Sequence, residues 1–154
     1  MPEQKEKKSL KIVRNFSATP EKVFDTFTKP ENMRVWWTDQ TTFDIDLRVG
    51  GRWTIVRKEG GMTYTATGEY LEVKRPNWLK YTYAMPQFSP NSDTITIDIE
   101  PDGKGDSTMT FTEDGLDIAE ELASVKAGVM SESEKGWRHG FDLIETSFSN
   151  FKTK

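Results

Sequence analysis

A chain of 154 residues suits one core of ordinary size, and 34% hydrophobic against 30% charged residues describes a globular protein rather than a disordered or membrane-embedded one. The absence of cysteine excludes disulfides and thiol chemistry, and a formal net charge of -4 with scattered Lys and Arg gives no basic face for nucleic acid. No apolar run approaches the roughly 18 residues of a membrane span, and the opening "MPEQKEKKSL" lacks the apolar segment of a secretory signal. A cytoplasmic location is expected, with residues 1–8 as a flexible, solvated arm.

"LKIVRNFSA" places Leu10, Ile12 and Phe16 on one parity, the pattern of a first strand, and Arg14 shares that parity. "TPEKVFDTF" then starts a helix, with Thr19 as N-cap, Pro20 at the first helical position and Glu21 near the positive end. Val23, Phe24 and Phe27 form its apolar stripe. Pro30 breaks the chain before a second short segment that carries Trp36 and Trp37.

Over residues 41–112 the period is close to two. Phe43, Ile45, Leu47 and Val49 fall on one face, and Trp53 and Ile55 continue after Gly50 and Gly51. Opposed residues of a hairpin share a side, so a loop of Gly50, Gly51 and Arg52 would set Val49 against Trp53 and Leu47 against Ile55, with a glycine in the left-handed region. A phosphate loop would lead into a helix, whereas Trp53 begins another strand. The glycines turn a hairpin.

Further strands follow. "MTYTATGEY" aligns Tyr64, Ala66 and Tyr70, "NWLKYTYA" aligns Leu79, Tyr81 and Tyr83, "DTITIDIE" aligns Ile95, Ile97 and Ile99, and "STMTFT" pairs Met109 with Phe111. "PDGKGD" is a hairpin tip, and "MPQFSPNS" a longer, lid-like connection. A short helix is expected within residues 116–130. Trp137, Phe141, Ile144, Phe148 and Phe151 then mark one face of a long helix. Gly136 and Gly140 within it each cost roughly 1 kcal/mol relative to alanine, which close approach to the sheet would offset. A one-faced antiparallel sheet needs a cover, and this last helix is the expected one.

The ordered set "RNFSATPEKVF", "KPENMRVWW", "DLRVGGRW", "GEYLEVKRPNWLKYTY" and "EKGWRHGFDLIETSF" resembles the activator of heat-shock protein 90 ATPase homologue family, within the START-like superfamily of the birch pollen allergen. It spans residues 10–151 apart from the divergent 116–130. The resemblance implies an α+β helix-grip fold, in which a curved antiparallel sheet wraps around the C-terminal helix, with two short helices after the first strand. It also implies one START-like domain over residues 9–154. The superfamily hosts lipid carriers, hormone binders, cyclases and chaperone regulators, so the fold alone does not choose among them.

Little declares catalysis. His139 is the only histidine, lies off the apolar stripe of its helix, and reads as a surface residue; without cysteine a zinc site is not expected. The carboxylates Asp44/Asp46, Asp98/Glu100/Asp102/Asp106 and Glu113/Asp114/Asp117 read as solvated strand faces and turns. Arg14, if its strand stays regular, points inward toward a carboxylate or a ligand anion; otherwise it twists to an edge ion pair.

Inward parity together with the resemblance selects a non-enzymatic binder of a small hydrophobic or amphipathic molecule, between sheet and C-terminal helix. Trp53, Tyr64, Tyr81, Trp137, Phe141 and Ile144 would line the cavity, with Arg14 as an anion anchor. No catalytic residue, metal or cofactor is assigned. Two alternatives stand beside it: a regulatory partner of a heat-shock protein 90-type ATPase, and a cyclase-like enzyme, which needs a titratable group facing the cavity. A homodimer is also open.

Overall fold

The computed structural model describes residues 9–37, 41–126 and 128–152, the last three as backbone. The arm expected over residues 1–8 and the side chain of Phe151 lie outside them. The first strand, β1 (Leu10–Phe16), buries Leu10, Ile12 and Phe16 as its alternation requires. Thr19 caps α1 (Pro20–Thr28) by accepting the Lys22 N–H, and Val23, Phe24 and Phe27 are buried. Lys29 is extended, as a residue before proline prefers, and α2 (Pro30–Trp37) starts immediately after it.

The strands β2 (Thr41–Ile45), β3 (Arg52–Glu59), β4 (Met62–Lys74), β5 (Trp78–Tyr83), β6 (Asp93–Pro101) and β7 (Ser107–Asp114) follow. With β1 they form one antiparallel seven-stranded sheet in the order β1-β7-β6-β5-β4-β3-β2. Opposed pairs keep one face apolar: Ile97 faces Phe111 and Ile99 faces Met109, all buried. After β7 come α3 (Leu116–Ser124) and the long α4 (Glu132–Lys152). The sheet curves around α4 in the helix-grip arrangement. Phe141 of α4 meets Phe16 of β1, Phe111 of β7 and Phe27 of α1 at ring-centroid distances of 6.4, 5.3 and 6.1 Å.

The β2–β3 connection differs from the expected short loop. Trp53 opposes Ile45, and Ile55 opposes Phe43, so the turn occupies residues 46–51 and leaves Leu47 and Val49 exposed. The loop has its own bonding. Asp46 N–H donates to Arg52 O, and Gly51 N–H to Arg48 O, while Gly50 and Gly51 exchange backbone hydrogen bonds with Tyr70 of β4. Gly50 has φ +86°, the left-handed glycine that was expected. A Cβ on Gly51 would stand 2.1 Å from Asp46 O. The register moves by four residues, an even number, so every side chain keeps its face.

The helix glycines also do something other than expected. A Cβ on Gly140 would lie 2.7 Å from Cε3 of Trp36, so the close approach is to α2 rather than to the sheet. Gly136 has nothing within 4 Å of its would-be Cβ. No described helix is long and apolar enough to cross a membrane.

Candidate functional site

Two neighbouring spaces open on the concave side. The inner one is a recess of about 20 Å³, among Trp53 and Ile55 of β3, Tyr70 of β4 and Tyr81 of β5, with Trp36 and Trp137 above. It has room for a single water at most. Trp53 and Tyr81 meet edge to face at 5.6 Å, and Tyr70 packs on Tyr81 at 6.1 Å.

The outer space is an open cleft of about 1050 Å³. Trp36 and Trp37 of α2 form one wall, and the β3–β4 turn from Arg57 to Gly61 forms another. Gly136, Trp137 and Gly140 of α4 face them, with Tyr83 and Glu113 also in the lining. The rings form a connected set: Trp36 lies 5.5 Å from Trp37 and 6.4 Å from Trp137, and Tyr83 lies 5.5 Å from Trp137. Their order comes from specific contacts. The Trp36 indole N–H donates to Thr26 O at 3.0 Å, and Gly140 admits its ring against α4. The indole N–H groups of Trp37 and Trp53 are buried and have no acceptor among the described residues.

Glu113 is the chemically unusual group. It continues the inward parity of Met109 and Phe111, and it is only 5% exposed. Its Oε1 accepts the Trp137 indole N–H at 3.0 Å. Burial, and next a hydrogen bond with Asp93, push its carboxyl up to about 8, against the opposing Trp137 N–H. Its surroundings therefore favour the neutral form, and its burial makes it other than the solvated carboxylate that its acidic neighbours suggested. Asp93, also buried, accepts the backbone N–H groups of Asp117 and Ile118 at 3.3 and 3.1 Å, at the start of α3. Burial raises the hydroxyl pKa of Tyr83, and the charge of Glu113 adds to that.

The seven residues singled out from the sequence occupy five different settings. Trp137 lines both spaces, while Trp53 and Tyr81 line the recess. Phe141 and Ile144 are wholly buried and border neither. Tyr64 is half-buried on β4, between Phe88 at 6.1 Å and the Arg57 guanidinium at 5.1 Å. Arg14 forms a 2.5 Å ion pair with Asp142 of α4, again away from both spaces. Sequence reasoning left Glu113 and Asp93 out, although each shares the parity of a buried apolar series on its own strand. His139 is exposed, at the edge of the cleft. Among the described residues no three His, Cys, Asp or Glu side chains gather as metal ligands.

The family model described as Activator of Hsp90 ATPase homolog 1-like protein matches residues 17–148. No curated protein sequence matches the chain. Solved structures do resemble it. A solution structure of an Arthrobacter aurescens protein has a TM-score of 0.75 at 19% identity, over 92% of this chain and 86% of that one. A Staphylococcus epidermidis protein gives 0.73 at 24% identity, over 97% and 94%. A structure described as an HSP90 activator from Plasmodium falciparum gives 0.64 at 15% identity, over 90% and 91%. At these identities the likeness is one of fold.

Proposed function

We propose, from the premise that this chain belongs to the Activator of Hsp90 ATPase homolog 1-like family, that its cleft binds a small amphipathic molecule without transforming it. The observation that carries this reading is the open cleft of about 1050 Å³ bordered by Trp36, Trp37, Tyr83 and Trp137. Aromatic walls with a few polar groups at fixed points are the usual make-up of a small-molecule site. Closing those rings over an apolar body removes aromatic surface from water, at roughly 25 cal/mol per Å². Glu113 supplies the titratable group that a cyclase-like enzyme would need, but Trp137 and Asp93 already engage it. That favours holding a ligand over moving a proton.

The test is native mass spectrometry of protein purified gently from its own host, followed by titration of the delipidated protein with amphipathic probes while tryptophan emission is recorded. A bound mass that is lost on denaturation, or saturable quenching by a probe, supports the reading. A bare chain that also shows no saturable response to any probe would sink it.

A second reading follows from the family description: regulation of a heat-shock protein 90-type ATPase through the surface of the protein. It requires binding to, and stimulation of, the chaperone of the same organism in an ATPase assay. Absence of both effects removes it.

A further inference from the structure

We propose that the ligand of this cleft is an anionic amphiphile, an apolar body ending in a carboxylate, whose head group is received by the Arg57 guanidinium and the Trp37 indole N–H. The inference rests on the binding reading above and adds the ligand's chemical class.

The first argument is hydrogen-bond accounting. Buried donors in native proteins almost always have an acceptor, because burial without one forfeits their hydration and returns nothing. Among the described residues three buried side-chain donor atoms have none: Arg57 Nε, Trp37 Nε1 and Trp53 Nε1. The Trp53 indole belongs to the inner recess, which is too small for a ligand. Arg57 and Trp37 both line the open cleft. An ammonium ion would bring only more donors to them, whereas a carboxylate brings two oxygens and no donor.

The second argument is position. Arg57 continues the inward parity of Trp53 and Ile55 along β3. It opposes Thr41 of β2, whose Oγ1 donates to the Trp37 carbonyl oxygen at 3.0 Å. The end of α2 is thereby tied to the end of β3, and the two residues with unmet donors belong to one corner of the cleft. Tyr64 opposes Arg57 from β4, with its ring centroid 5.1 Å from the guanidinium carbon, and Arg57 Nη1 donates to Glu59 Oε1 at 2.7 Å. These contacts leave the edge formed by Nε and Nη2 without a hydrogen bond to any described residue. Such an edge carries two parallel N–H groups, the match for the two oxygens of a carboxylate. The Arg57 side chain is 33% exposed, so a small rotation turns this edge outward to the cleft.

The third argument is charge. Lys58 follows on the lip of the cleft, exposed and in no ion pair among the described residues. Glu59, the carboxylate on Arg57, is itself largely exposed, and solvent weakens its hold. The other carboxyl group of the lining, Glu113, sits on β7, four strands from β3 in the sheet order, and is engaged by Trp137 and Asp93. The lining therefore has a donor end and an acidic end. An anionic head group belongs at the first, with its apolar body over the rings of Trp36 and Trp137.

The experiment compares decanoate, decanol and decylamine, one alkyl chain with three head groups, by calorimetry on the full-length protein at pH 7. Decanoate should bind at least about tenfold more tightly than either of the others. Arg57→Lys keeps the positive charge but removes the paired edge, and Trp37→Phe keeps an aromatic wall but removes the donor. The decanoate-to-decanol preference should fall about tenfold in the first and about fivefold in the second. Heteronuclear NMR spectra of the wild type should show the Arg57 Nε–H and Trp37 indole resonances moving with decanoate and not with decanol. That comparison needs no variant, so poor folding of either substitution does not remove the test. If decanol or decylamine binds as well as decanoate, or the two resonances stay in place while decanoate binds, the carboxylate assignment is overturned and the binding reading survives. If none of the three binds, both fall.

Discussion

At Glu113 the native protein retains a proton that the unfolded chain gives up near the ordinary value of 4.5. A folded pKa of about 8 means that the native state binds more protons throughout that interval. Stability from this group is complete below 4.5, declines as the pH rises, and is lost once the pH passes about 8. The loss is on the order of a few kcal/mol. Asp25 acts in the opposite direction: burial pushes it up, yet Arg75 and Lys29 hold it below its usual value, so its contribution is lost on acidification. Urea unfolding of wild type and Glu113→Gln at pH 5 and pH 8.5 separates the two effects. The variant should gain on wild type at the higher pH and converge with it at the lower. An equal difference at both would contradict the assignment. This residue was within reach of the sequence, because Met109, Phe111 and Glu113 lie at alternate positions. Its proximity in chain to Asp114 and Asp117 suggested solvent instead, and only the packing of α4 over β7 decides between them.

Along α4, one helical turn separates two glycines with opposite demands. Gly136→Ala adds a methyl group where nothing lies within 4 Å and removes the helix cost of glycine, so it should stabilise by up to about 1 kcal/mol. Gly140→Ala places the same group 2.7 Å from a Trp36 ring carbon and should destabilise by about 1–3 kcal/mol through overpacking. Denaturant midpoints of the two variants would show the contrast, and a shared sign would contradict the described seat of Trp36. Parity and helical spacing located both glycines on α4. They could not say that one meets an indole and the other a cleft, since that depends on where α2 lies. The β2–β3 register shows the same limit. A slip of four residues preserves the faces, and the choice was made by the backbone bonds of Gly50 and Gly51 to Tyr70, a residue of another strand.

Across the whole molecule, Phe141 joins elements remote in sequence, with rings from β1, α1, α2 and β7 around it. Phe141→Ala would leave a void at this meeting point and should cost about 3–5 kcal/mol. Thermal unfolding would record it as a large fall in midpoint, and a change within a degree or two would show that the core closes around the loss. The alternating strands, Thr19 cap and terminal amphipathic helix made the architecture legible from sequence. The candidate site was legible only in part. Trp137, Phe141 and Ile144 share one helical stripe, but the stripe specifies an inward direction and not whether another ring or an open space lies there. Trp137 borders the cleft, and the other two fill the interior.

Asp93 places the cleft and the third helix in one electrical circuit. Its carboxyl group anchors the first amides of α3 while bonding to Glu113 at the cleft. Whatever changes the charge at Glu113 changes the acceptor that the Asp117 and Ile118 amides share. Titration of Glu113 should therefore be legible at the Asp117 and Ile118 amides, outside the cleft, as a shift of their resonances in the pH range where Glu113 changes charge.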